Sequence, residues 1–237
     1  MSQKSLSERA ERVIGGFLLL AAISLMVLFL SSCQKDDPSP VVAPNPSVAA
    51  PSCYTVQSRL DNGETPWAIV ESGVSMECLY GKLYFNGIVY LVDTVYGYAA
   101  VVAKPEEGFQ AEWGCDGYMH ADGWDVGQGA INDCNFQLYC NAGENDFSAF
   151  KNCRMIDHQN GDSSYWKLPT RGDLLLMHDN LATRGLGDFN PDYYYWSSSE
   201  WVSPFLYAWV VNVTNAGNAS ALKADTKHCR CNIYVHH

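Results

Sequence analysis

Apolar residues follow several distinct patterns along the 237-residue chain. From Val13 to Leu30 they run on without a charge. From Lys82 to Ala103 two runs rich in Val, Tyr, Leu and Ala flank Asp93 to Gly97, and this pattern predicts a β-hairpin. Between Lys104 and Asn145 the periodicity fails. Gly, Asp, Asn and Cys dominate there, which predicts long loops pinned by disulfides. From Phe147 to Ile156 the apolar residues, Phe147, Phe150, Cys153, Met155 and Ile156, recur at threes and fours, which predicts a helix. A second helix is predicted after Pro169. Thr170 and Asp173 have the spacing of a capping box, in which the hydroxyl accepts from a free amide and the acid sits at the positive end of the helix dipole. Leu174, Leu175, Met177 and Leu181 supply its buried face, and Gly185 and Gly187 end it. Tyr193 to Trp196 leads into Ser197–Glu200. Ala208 to Val213 reads as a strand, Asn215 to Asn218 as a turn, and Cys229 to Val235 as a last strand. No repeat of about 20–50 residues occurs, which argues against a solenoid or propeller.

The first apolar run has the layout of an export signal. Lys4, Arg9 and Arg12 precede it, and Leu30-Ser31-Ser32-Cys33 closes it. About eighteen apolar residues nearly span a bilayer, so length alone does not separate a cleaved signal from a retained helix. The closing residues do. Leu-Ser-Ser-Cys resembles the lipobox of bacterial lipoproteins, which implies cleavage before Cys33 and a diacylglycerol on its sulfur. Gln34-Lys35-Asp36-Asp37 resembles the signal that sends Bacteroidota lipoproteins to the outer face of the outer membrane. Residues 38–51 are dense in proline, which removes backbone donors and favours an extended tether. The expected organisation is a signal at 1–32, a lipidated cysteine and tether at 33–51, and one domain at 52–237. The expected location is the outer membrane, lipid-anchored and exposed at the surface.

Composition narrows the partners. Residues 1–32 hold Lys4, Arg9, Arg12, Glu8 and Glu11; without them, 12 basic and 24 acidic residues remain of the chain's 15 and 26. An acidic surface repels phosphate backbones, so nucleic acid is not an expected partner. It also disfavours broad electrostatic capture of sulfated polysaccharides. Charged residues are sparse, while 14 Tyr and 7 Trp suit a loop-rich binding surface with exposed rings.

Eight cysteines follow Cys33: Cys53, Cys78, Cys115, Cys134, Cys140, Cys153, Cys229 and Cys231. An even number in an exported chain suggests disulfides, and on the order of a hundred pairings are open. No Cys-x-x-Cys occurs, and His228 with Cys229 and Cys231 is too local for a closed zinc site. On a strand Cys229 and Cys231 face the same way and could bond two different partners. No metal or cofactor is expected. His120, His158 and His178 read as solvated histidines, and Asp116, Asp122 and Asp125 as loop acids.

Several motifs, in order, carry a resemblance. Trp166-Lys167-Leu168-Pro169-Thr170-Arg171 with Asp173-Leu174, Tyr195-Trp196-Ser197-Ser198-Ser199-Glu200, Ala208-Trp209-Val210-Val211, and Lys227 with Arg230-Cys231 are similar to steps of the Lcl C-terminal domain family. Upstream, Gly87-Ile88-Val89-Tyr90, Val101-Val102-Ala103 and Pro105-Glu106 resemble its opening hairpin. The likeness spans about Lys82 to Val235; the chain departs from the pattern near Gly127–Gly129 and Asn132 and carries extra cysteines between Cys115 and Cys140. The resemblance implies an α+β, C-type lectin-like fold: two helices on a twisted antiparallel sheet, with long disulfide-pinned loops. It implies a Cys153–Cys231 bridge between the first helix and the last strand, and makes Trp166, Leu168 and Trp196 core residues.

The function expected is a surface module that binds an extracellular glycan or protein, without catalysis. Tyr193, Tyr194, Trp201 and Tyr207 are the candidate contacts. The calcium-dependent sugar site of true C-type lectins needs Glu-Pro-Asn or Gln-Pro-Asp, and neither occurs; Asn190-Pro191-Asp192 is similar in chemistry but precedes the expected place. Two alternatives remain. One is an enzyme of the formylglycine-generating type on the related fold. The other is a variable binding protein diversified by retroelements.

Overall fold

The computed structural model describes residues 53–115, 125–140, 147–156, 166–201 and 205–236. The export signal, Cys33, the tether, Asp116, His120, Asp122 and His158 lie outside the described residues. Everything described belongs to one unit, Ala49–His237.

The hairpin forms where the pattern places it. Strands β2 (Gly87–Asp93) and β3 (Tyr98–Ala103) pair antiparallel, preceded by a short β1 (Leu83–Tyr84). The turn is local chemistry: the Asp93 carboxylate accepts from the amides of Val95 and Tyr96 at 2.8 and 2.9 Å, and Gly97 supplies a positive φ of 64°. The last strand, β9 (Asn232–His236), lies on the other side of β3, giving a four-stranded sheet in the order β1-β2-β3-β9. Both faces of its centre are covered. Val89, Val101 and Ile233 join one core cluster, while Tyr90, Ala100 and Val102 join another with Leu174, Met177 and Leu181.

A second, curled sheet has the order β4-β8-β5-β6-β7, where β4 is Phe109–Glu112, β5 Tyr195–Glu200, β6 Tyr207–Asn212, β7 Gly217–Leu222 and β8 Thr226–Cys229. It is mixed: β8 runs antiparallel to β4 but meets β5 in parallel at one pair, Tyr195↔His228. The α+β class therefore holds, with two sheets in place of the single expected one.

Five α-helices complete the described chain: α1 (Val56–Asp61), α2 (Pro66–Glu71), α3 (Gly129–Tyr139), α4 (Ala149–Arg154) and α5 (Arg171–Asn180). Helices α4 and α5 are the two that the apolar spacing predicts. Thr170 Oγ1 accepts from the Asp173 amide at 3.0 Å, and the Asp173 carboxylate accepts from the Thr170 amide at 2.9 Å. Leu174, Met177 and Leu181 are fully buried. The helix stops before the glycines: Leu181 caps it, a 3-10 turn spans Ala182–Arg184, and Gly185 closes that turn in the left-handed conformation.

Helix α3 and strand β4 correct the expectation of loops from Lys104 to Asn145. The helix has its polarity inverted. Asn132 and Asp133 are fully buried, while Ile131 and Leu138 are exposed. Asn132 donates to Ser198 Oγ at 3.0 Å, and Asp133 pairs with Arg154 at 2.7 Å. Partnered buried polar groups erase the apolar periodicity that would reveal the helix. Phe136 stacks on Phe150 at 4.2 Å, and Trp113 meets Phe150 edge-on at 5.0 Å.

The single last strand expected from Cys229 to Val235 is two strands in two sheets. Arg230 makes the break: its guanidinium donates to the carbonyls of Ala103 at 2.8 Å and Gly187 at 3.2 Å, and lies 4.8 Å over Phe189. Cys229 thus ends β8, while Cys231 lies just before β9. Cys231 is bonded to Cys153, the pair that the resemblance implies. Cys53–Cys78 and Cys115–Cys140 are the other disulfides. Cys134 and Cys229 are free thiols, so Cys229 has no disulfide partner of its own. Trp166, Leu168 and Trp196 are core, at no more than 1% exposure.

Candidate functional site

Residues 187–194 lead into β5 through a series of local bonds. Asn190 Oδ1 accepts from the Asp192 amide at 2.9 Å, the Asn190 carbonyl accepts from the Tyr193 amide at 3.2 Å, and Asn212 donates to the Pro191 carbonyl at 2.6 Å. These bonds hold Tyr193 and Tyr194 at the start of β5. Tyr193 is 37% exposed and Tyr194 40% exposed. Under Tyr193 lies His228 of β8, ring on ring, with centroids 3.5 Å apart and planes 9° from parallel.

The two tyrosines open onto a groove of about 340 Å³. Gln110, Asp192, Ser220, Thr226, Lys227 and His228 give it polar groups, and Val210 and Ala219 an apolar wall. The Gln110 amide nitrogen stands 3.0 Å from His228 Nε2. Donor and acceptor in this pair follow the imidazole tautomer and the orientation of the amide. Burial holds the His228 pKa below the usual imidazole value, so the ring is neutral at pH 7. The arrangement offers a ring face, a neutral imidazole, an amide, hydroxyls and one charge of each sign. Such a set can stack on a flat or apolar ligand surface and hydrogen-bond its edges.

Trp201 and Tyr207 lie elsewhere. The Trp201 amide donates to the Tyr207 carbonyl at 3.0 Å, beyond the end of β5. Strand β5 is irregular between Trp196 and Glu200, and along its neighbour β6 the step from Tyr207 to Val211, the partner of Tyr195, is four residues, roughly 13 Å at strand rise. The Trp201 ring packs 4.3 Å from Trp209, over which Arg171 sits at 4.5 Å. The four candidate rings therefore form two pairs at opposite ends of β5. Only the Tyr193–Tyr194 pair lines the groove.

His228, Gln110 and Lys227 were not singled out as contacts by the sequence. No local signal marks them, because the loop before β5 meets β8 only through the sheet. His178 corrects the reading of a solvated histidine: Nδ1 is 2.8 Å from the Val213 carbonyl, to which only a ring N–H can bond, so it pins α5 to the turn after β6. Asp125 stands as a loop acid, its carbonyl accepting from Gln128 at 3.2 Å before α3. In Asn190-Pro191-Asp192 the Asn190 oxygen and the Pro191 carbonyl are bonded within the fold. No group of three or more His, Cys, Asp or Glu converges among the described residues. Burial pushes the Cys229 thiol well up, which does not suit thiolate chemistry.

A second concavity, of about 420 Å³, lies between Tyr98, Tyr234, Lys167 and the start of α3. Beneath it is a buried network. Asp173 accepts from the hydroxyls of Tyr90 and Tyr234 and from the Gly127 amide, while Asn232 donates to the Tyr90 hydroxyl at 2.7 Å. Burial raises the Asp173 pKa, and the bonds from Tyr234, Thr170 and Gly127 pull it back down. The network ties α5 to both the hairpin and β9, which is a structural task.

The chain matches no protein-family model and no curated protein.

Proposed function

We propose that this chain is a lipid-anchored protein of the outer membrane that presents a ligand-binding domain at the cell surface and performs no catalysis. The domain is read as C-type lectin-like, related to the Lcl C-terminal domain family, with a glycan or a protein as its ligand. The tether carries it away from the lipid on Cys33. The observation that carries the reading is the exposed Tyr193–Tyr194 pair on the groove, with Tyr193 seated flat on His228. Rings already packed from behind lose little freedom on binding, and exposed aromatic anchors dominate interface energetics. The fold is well braced for this role: three disulfides close it, and the bonds of Asn190, Asn212 and Arg230 hold the loop before β5 in place.

The test is an array of glycans and extracellular proteins probed with the soluble domain, residues 52–237. Tyr193→Ala should lose at least tenfold in affinity for whatever the domain retains. A variant that binds as well as the parent overturns the reading.

A further inference from the structure

Among the described residues the longest open strand edge belongs to β7. Its six residues pair with β6 in six consecutive positions, without a bulge. The Lys223 amide donates to the Leu206 carbonyl at 2.9 Å, which sets the alternation of the ladder. Ala221, Ala219 and Gly217 bond inward to β6, so the backbone groups of Asn218, Ser220 and Leu222 point away from it. The Leu222 carbonyl is taken by the Asp225 amide at 2.8 Å. Among the described residues, three amides and the carbonyls of Asn218 and Ser220 remain without a ladder partner, on three residues that are all exposed.

The other sheet edges are shorter or partly covered. Strand β1 has two residues, β4 ends on the exposed Glu112, and β9 is bridged at Asn232 by Lys167 with bonds of 2.8 and 2.9 Å. Strand β7 reads Gly-Asn-Ala-Ser-Ala-Leu, with no proline or bulge and no charge of its own, although Arg171 donates to the Asn218 side chain at 2.8 Å. Natural edges left open usually carry one of these devices, because bare ladder groups recruit another strand. Leu222 adds exposed apolar area on the strand itself. Ala219, Ser220 and Ala221 line the groove that Tyr193 and Tyr194 open onto.

We propose that the groove's ligand is an extended segment of another polypeptide, which joins β7 as an added strand; this rests on the groove being the binding site. Its backbone takes up the ladder groups of Asn218, Ser220 and Leu222, and its alternate side chains enter the groove against Ala219, Ala221 and the two tyrosines. About six residues match the length of β7. A second copy of this chain is disfavoured, since an excess of acidic residues on both partners repels. The same excess favours basic residues beside the added segment.

The experiment is selection of a displayed random peptide library on the soluble domain, with Ser220→Pro as the comparison. The Ser220 amide points outward, so proline there removes a ladder donor while sparing the bonds to β6. Enriched peptides should bind the parent at least tenfold more tightly than the Ser220→Pro variant. N-methylation of alternate backbone amides in an enriched peptide should abolish binding, a readout that leaves the protein untouched. Peptides that tolerate N-methylation in every register, or no enrichment over the variant, overturn the strand proposal. If a glycan binds, and Tyr193→Ala abolishes that binding while Ser220→Pro does not, the groove stands and the strand fails. If peptides depend on Ser220 but not on Tyr193, the strand stands and the groove fails.

Discussion

Tyr193 and His228 stand 35 residues apart in sequence and lie face to face at 3.5 Å. The stack makes His228 a sensor of its own burial. Its pKa is lowered, with desolvation as the cause, so the unfolded chain takes up this proton before the folded one does. The contribution of His228 to stability is complete above the ordinary imidazole pKa and is lost as pH falls through the folded value. An NMR titration of the His228 ring should give a midpoint below 6.5. His228→Gln should flatten the part of the stability loss that accompanies it. A midpoint at or above the ordinary value contradicts the stacked, neutral ring.

Glu200 and Lys223 form an ion pair with both side chains fully buried. The ammonium also donates to the Cys115 carbonyl at 3.3 Å and lies 4.7 Å over Trp113. Removing one member strands the other. Glu200→Gln should cost about 3–5 kcal/mol in a urea titration. A loss below about 1 kcal/mol would mean that water reaches the pair.

The Cys153–Cys231 bridge spans 78 residues and joins α4 to the start of the last strand. By the loss of loop entropy in the unfolded chain, such a closure stabilises by about 4–5 kcal/mol. The double variant Cys153→Ala/Cys231→Ala should show that loss, and peptide mapping without reductant should recover the linked pair. Recovery of Cys153 bonded to Cys229 would contradict the separation of β8 from β9.

The parts legible in the sequence are those set by neighbours. Asp93 makes its own turn, Thr170 and Asp173 make their own cap, and Leu174, Met177 and Leu181 declare a buried face. Helix α3 was not legible, because Asn132 and Asp133 point inward to partners 66 and 21 residues away. The break at Arg230 was hidden for the same reason, since its bonds reach 127 residues back to Ala103. Of the site, the exposure of Tyr193 and Tyr194 could be read from rings set among polar residues. Their separation from Trp201 and Tyr207 could not, because the length of β5 between them was not apparent until β6 and β8 were placed on either side.

Lipidation is tested at Cys33. Cys33→Ser in the full chain should accumulate as an uncut precursor that incorporates no labelled fatty acid. A shortened, lipid-labelled product from that variant would contradict the anchor.

The central claim is that ligand binds at the Tyr193–Tyr194 end of β5. It is tested most directly by four single alanine variants, at Tyr193, Tyr194, Trp201 and Tyr207, each measured for melting temperature and for affinity to the ligand found by array or selection. Truncating an exposed anchor at a contact centre typically costs about 2 kcal/mol of binding or more, whereas cutting a core ring costs about 3–5 kcal/mol of stability. Tyr193→Ala and Tyr194→Ala should lose binding and keep their melting temperatures. Trp201→Ala should melt early through its lost packing on Trp209, and Tyr207→Ala should bind as the parent does. Loss of binding at Trp201 or Tyr207 with full retention at Tyr193 and Tyr194 would contradict the account.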